Sequence, residues 1–140
     1  MSREDSLKRL NELFAEEVEA GIRYLLIACT LKGLDRLLVR DVMLENLRET
    51  FDHAQAIANK MLQLGGTPSL DLKLSIPEEK PSATDAIRTA LAFEQAALDA
   101  YREALDQLGE DDDVILEEFL RAQIAVESEH VAELYTLLER

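Results

Sequence analysis

The sequence predicts an all-α fold, a four-helix bundle built as two antiparallel helical hairpins joined by one long crossover. Three observations predict it. Four long segments repeat apolar residues at alternating steps of three and four, the spacing that lines one face of a helix. Glycines close the first three of them. All three prolines, Pro68, Pro77 and Pro81, fall in one stretch between the second and third segments. Composition agrees, since 47% hydrophobic residues with only 5% aromatic and no Trp favours helices over sheets. The 140 residues are read as one domain, 1–140, long enough to bury a core.

The first helix is expected from about Ser6 to Lys32, ending at Gly33, and the second from about Asp35 to Leu64, ending at Gly65–Gly66. The third begins near Ser82, where Ser82–Ala83–Thr84–Asp85 resembles a capping box, and ends at Leu108–Gly109. The fourth starts in the acidic run Glu110 to Asp113, whose charges suit a helix N-terminus, and continues nearly to Arg140. Short turns within each pair make antiparallel hairpins. The segment Gly65 to Pro81 is long enough to return the chain to the other end of the bundle, and Leu70, Leu72, Leu74 and Ile76 form a strip able to lie over an apolar surface.

Tracing the inward faces gives Leu10, Phe14, Glu17, Gly21, Tyr24, Ala28 and Leu31 in the first helix. The second gives Val39, Met43, Asn46, Thr50, His53 and Ile57. The third gives Ile87, Leu91, Glu94, Leu98, Tyr101, Leu105 and Leu108, and the fourth Leu116, Leu120, Gln123, Glu127, His130, Leu134 and Leu137. Polar groups thus interrupt all four stripes at similar depth. A buried unpaired carboxylate costs several kcal/mol. Three carboxylates and the chain's two histidines therefore need a common partner, and a metal ion supplies one: Glu17, His53, Glu94, Glu127 and His130 are the candidate ligands.

A repeat strengthens this reading. Glu17 and Glu94, Tyr24 and Tyr101, Asn46 and Gln123, and His53 and His130 are each separated by 77 residues, as a pseudo-two-fold site requires. Taken singly, each histidine reads as a core residue and the glutamates as partners for Arg23, Arg102 or Arg121; matched depth at one offset favours ligands. Tyr24 and Tyr101 read as hydrogen-bond partners of the carboxylates. Cys29 reads as a small core residue, and Met43 and Met61 as packing fillers. One position breaks the symmetry. Glu127 and His130 form Glu-x-x-His, but the counterpart of Glu127 is Thr50. Glu49 precedes it, about 100° around the helix.

With these residues assembled, the chain resembles the bacterioferritin branch of the ferritin-like superfamily, whose bundle has the same single long crossover. The family pattern is Glu on helix one, Glu-x-x-His on helix two, Glu on helix three and Glu-x-x-His on helix four. Here it reads Glu17 in EEVEAGIRYL, Thr50-x-x-His53 in RETFDHAQAIANKMLQLGGTP, Glu94 in LAFEQAALDAYREAL, and Glu127-x-x-His130 in ESEHVAEL. The resemblance implies two iron ions per chain, one on Glu17 and His53, the other on Glu94 and His130, with Glu127 bridging. Helix two would supply a second bridge, which Thr50 cannot be. Phe51 stands where bacterioferritins carry a haem-ligating methionine, so no haem is expected. Ten residues follow His130, too few for a fifth helix, so the resemblance supports a homodimer or higher homo-oligomer without carrying the cage.

The function expected is iron binding with oxidation of ferrous iron by dioxygen or peroxide, for storage or detoxification. Two other readings stand beside it. One is a non-catalytic bundle holding a single structural metal, which Thr50 favours. The other is a rubrerythrin-like peroxide reductase or dimanganese protein, weakened by the lack of a Cys-x-x-Cys segment. Net charge of −14 argues against nucleic acid as a partner; it reads first as a solubility feature and, alternatively, as a surface that gathers cations. No apolar stretch approaches the roughly 20 residues that span a bilayer, so no membrane partner is expected. A polar N-terminus without a visible signal peptide and the single Cys29 are read as cytoplasmic.

Overall fold

The computed structural model describes residues 2–72, 74, 81–108 and 113–138. Four helices run in chain order, α1 Arg3–Thr30, α2 Gly33–Gln63, α3 Ala83–Asp106 and α4 Val114–Leu138, with no strand among the described residues. Helices α1 and α2 pack along their lengths, as do α3 and α4, making the two hairpins of a four-helix bundle.

Local chemistry sets the boundaries. Helix α1 starts three residues before the expected Ser6 because Ser2 and Asp5 form a reciprocal capping box at 3.1 Å in each direction. Asp5 stands where Glu or Gln is usual, which hid the motif. The α1–α2 turn closes on Gly33 at φ +63, a left-handed conformation costly for any residue with a Cβ. Helix α2 ends in a Schellman motif: Gly66 N–H donates to Met61 O at 2.9 Å and Gly65 N–H to Leu62 O at 3.0 Å, with Gly65 at φ +84. Ser82 caps α3 through Asp85 N–H at 3.1 Å. Asp113 accepts from Ile115 N–H at 2.8 Å at the start of α4. The rest of the acidic run, Glu110 to Asp112, and Gly109 lie outside the described residues.

In the crossover, Ser69 and Asn11 exchange hydrogen bonds of 2.8 and 3.2 Å, pinning the segment to α1. Leu72 and Leu74 are half-buried, whereas Leu70 is exposed, so the apolar strip starts later than expected. Ile76 and Pro77 lie outside the described residues.

The core is split. One apolar cluster joins Tyr24, Ile27, Leu31, Met43, Ile87 and Leu134 among others. The other joins Leu10, Leu13, Ile57, Met61, Tyr101 and Leu120 among others. Between them lies a polar layer holding the buried Glu17, Thr50, Glu94 and Glu127. Met43 and Met61 are buried in the two clusters, as packing fillers would be.

Two stripe assignments and the placement of Cys29 are corrected. Leu13 is buried and Phe14 only half-buried, a shift of one position on α1. The buried face of α4 advances from Glu127 to Val131 and Leu134, with Leu138 half-buried and Leu137 exposed at 53%. Cys29 is exposed on α1, outside the core in which it was expected.

Candidate metal centre

Each helix brings one or two donors into the polar layer, and their periodicity aims them inward. Glu17 from α1, His53 from α2 and Glu127 from α4 form one group; Glu94 from α3, with Glu127 and His130 from α4, forms a second. Within each group one donor atom per residue lies within 4.8 Å of the others. Glu127 belongs to both. All five residues expected from the sequence thus meet in one place.

The two halves mirror each other. His53 Nδ1 lies 3.7 Å from Glu17 Oε2, and His130 Nδ1 lies 3.6 Å from Glu94 Oε2. The imidazole rings are nearly parallel, with centroids 6.0 Å apart and planes inclined by 14°. Tyr24 Oη donates to Glu94 Oε1 at 2.7 Å, and Tyr101 Oη donates to Glu17 Oε1 at 3.2 Å. Each tyrosine of one hairpin therefore orients the glutamate of the other. Both tyrosine rings belong to the apolar clusters flanking the layer, so each has a dry ring and a hydroxyl turned to a carboxylate. Two of the arginines expected as alternative partners turn elsewhere: Arg23 pairs with Glu19 and Arg121 with Glu117, both at 2.9 Å.

Tyr24→Phe keeps the ring and removes the donor to a buried carboxylate. It is expected to cost the metal-free protein about 1.5–3 kcal/mol, read as a lower urea midpoint. An unchanged midpoint would show that the hydroxyl does not support Glu94.

Thr50 marks the asymmetry. It is buried in the layer at 4% exposure, but it carries no carboxylate. Glu49 does not take its place. Its Oε2 lies 2.8 Å from His130 Nε2, on the outer edge of the imidazole. In the neutral ring that contact keeps the proton on Nε2, so the Nδ1 lone pair is the one that faces the layer. In the repeat, the counterpart of Glu49 is Val126, so each hairpin has one carboxylate at this pair of positions, in opposite order. Beyond Glu49, the acidic residues Glu45 and Glu133 line a cavity of about 110 Å3 with His130 on its wall. Neither was singled out in the sequence, although both lie three or four residues from Glu49 or His130 on the same helix faces.

Burial dominates the electrostatics. It raises the carboxyl of Glu17, and it pushes Glu127 up to about 8, aided by the charge of Glu94 and opposed by His53. Burial acts the same way on Glu94 but is outweighed by the adjacent His130 imidazole, the neighbouring Glu127 carboxyl and the Tyr24 hydroxyl, which hold it down at about 2. Burial alone would lower His53; Glu127 and Glu17 overcome it and hold the imidazole protonated up to about 10. Glu94 raises His130 as well. Burial and the adjacent carboxylates keep both tyrosines neutral.

These residues fit a metal ion. His53 Nδ1 lies 2.9 Å from Glu127 Oε1, but its N–H would not point along that line. His53 Nδ1 and Glu127 Oε2 are buried and have no hydrogen-bond partner among the described residues. Unsatisfied buried donor atoms converging from several helices are what a bound cation would satisfy. Oxygen and imidazole donors together suit iron or manganese, and also zinc.

The fold is shared with known proteins. The structure is similar to that of ferritin-like, diiron-carboxylate proteins from Bacillus anthracis strain Ames, with TM-score 0.84 and 27% identity over 99% of this chain and 100% of that one. It is similar in fold to a dodecameric thioferritin, the bacterioferritin-related protein from Bacteroides fragilis, with TM-score 0.83 and 23% identity over 99% of this chain and 86% of that one. No curated protein matches the chain. Residues 7–140 match the ferritin-like domain family. With that match spanning the four helices and the polar layer between them, the chain belongs to the ferritin-like domain family.

Proposed function

We propose that the chain binds two iron ions, one on Glu17, His53 and Glu127, the other on Glu94, His130 and Glu127, and oxidises ferrous iron with dioxygen or peroxide as acceptor. The observation that carries this reading is the pair of overlapping donor groups sharing Glu127. The likeness to ferritin-like, diiron-carboxylate proteins supports iron over other metals. Bound ferrous iron supplies the electrons for reducing the acceptor. The protein's own groups do the rest. The three carboxylates offset the cationic charge and favour the ferric product, while the imidazoles favour the ferrous form. Tyr24 and Tyr101 hold Glu94 and Glu17 in place through their hydroxyls. The apolar clusters flank the layer on either side and lower the dielectric around it.

Glu45, Glu49 and Glu133 are proposed to draw cations toward His130 from the surface. Leu34, Leu37 and Leu38, exposed at 77, 80 and 69%, support self-association through the start of α2. No described helix is long and apolar enough to cross a membrane, and a cytoplasmic location is part of the proposal.

The test is anaerobic titration with ferrous iron followed by admission of air. Two ions per chain and a near-ultraviolet band of ferric oxo species growing faster than in buffer are expected. One ion per chain, or the buffer rate, would sink the oxidase reading. Thr50 favours the second reading, a bundle holding a single metal without turnover, and the one-ion outcome would establish it.

A further inference from the structure

Thr50 does more than remove a ligand; it opens space. A cavity of about 300 Å3 has Thr50, Glu17 and Glu94 among its lining residues. These three are its buried end, at 4, 5 and 5% exposure. Ala20, Phe93 and Ala97 give it apolar walls, and the exposed Glu16 and Ala96 mark its outer end. The cavity therefore runs between α1 and α3 from the surface to the side of the polar layer where helix two offers no carboxylate.

Charge points the same way. Two divalent ions carry four positive charges, and Glu17, Glu94 and Glu127 offset three. Glu49 offsets charge only from the far edge of His130, at Nε2. It cannot reach the inner side that Thr50 borders while it keeps that contact. One anionic donor is missing at the end of the cavity, in a low-dielectric layer where an uncompensated charge is costly.

We propose that this cavity is a binding site for a short-chain aliphatic monocarboxylate, whose carboxylate completes the metal centre beside Thr50. The inference rests on the two-metal reading above. The volume is at the lower end of the range of ligand pockets, about 300–1,000 Å3, and exceeds what a carboxylate group alone would fill. The ligand therefore carries a few-carbon body that lies on Ala20, Phe93 and Ala97. Two features select against a second anionic end. Glu16 and Glu19 line the cavity, and its one cationic side chain among the described residues, Arg23, is already engaged by Glu19 at 2.9 Å. Binding is by coordination and burial, with no bond in the ligand made or broken.

The experiment measures manganese(II) affinity and stoichiometry of the full chain, from the signal of the free ion, with increasing butyrate. Butyrate should raise manganese affinity about ten-fold at ten times its own dissociation constant, by linkage. Butanol, with the same body and no charge, and succinate, with a second charge, should leave affinity within two-fold. Thr50→Glu supplies its own carboxylate, so it should bind manganese tightly without butyrate and lose the butyrate effect. If that variant does not fold, the wild-type comparison of butyrate with butanol and succinate decides alone. Two ions bound with affinity indifferent to butyrate, or an equal effect in Thr50→Glu, overturns this inference and leaves the metal centre standing. No bound manganese at any butyrate concentration overturns both.

Discussion

Glu127→Gln is expected to abolish binding of both metal ions while leaving the fold intact. Glu127 is the one residue common to the two donor groups, so its loss leaves Glu17 with His53 and Glu94 with His130, two donors each. Even partners that only orient ligands are worth about 10–100-fold in metal affinity, so losing a shared ligand should cost each ion about 100-fold or more. The fold survives because burial already holds the Glu127 carboxyl protonated up to about 8 in the metal-free protein. Glutamine copies that neutral form in size and shape. Metal analysis together with thermal denaturation checks both halves. Retention of one ion at wild-type affinity would show that Glu127 serves a single metal. As a contrast, Glu49→Gln removes only the contact with His130 Nε2 and should weaken a single ion, by about 10–100-fold.

The second large effect is an opposite response to pH with and without metal. Folded Glu127 titrates at about 8 against an ordinary 4.5, and folded His53 at about 10 against 6.5. The folded metal-free protein therefore holds protons that the unfolded chain has released. By linkage its stability falls as pH rises, from about 4.5 through 8 for Glu127 and from about 6.5 through 10 for His53. Glu94, held down at about 2, acts in the other direction: its contribution is lost as pH falls from 4.5 toward 2. The metal-free protein should accordingly be most stable in mildly acidic solution.

Metal reverses the trend, because cations take the place of those protons and bind more tightly as the ligands deprotonate. At a metal concentration about a thousand times its dissociation constant, the stabilisation is about 4 kcal/mol. Thermal denaturation at pH 5, 7 and 9, with and without manganese(II), reads both slopes. A metal-free melting temperature that climbs from pH 5 to 9 would mean that the carboxylates do not share protons in the folded state.

These expectations also separate the oxidase from a structural site. A site that only braces the bundle would gain stability from any divalent ion and tolerate Glu127→Gln with one ion retained. A two-ion centre loses both together, because one carboxylate serves both groups.

The sequence by itself determined the four helices, the crossover and the five converging residues. Apolar spacing at three and four residues reports which face of a helix is buried, and the 77-residue offset ties the polar interruptions of one hairpin to those of the other. Glu17, His53, Glu94, Glu127 and His130 could be selected without knowing any distance. Tertiary structure decided what depends on rotation about a helix axis and on side-chain direction. One residue is about 100° of rotation, which is the difference between Leu13 and Phe14, between Leu137 and Leu138, and between Glu49 bridging and Glu49 bracing His130. Whether Cys29 is covered depends on which neighbour reaches it, and spacing is silent on that. The crossed pairing of Tyr24 with Glu94 and Tyr101 with Glu17 required the two hairpins to be docked. So did the cavity beside Thr50: a missing carboxylate is visible in one dimension, but the space it leaves exists only once α1, α2 and α3 are packed around it.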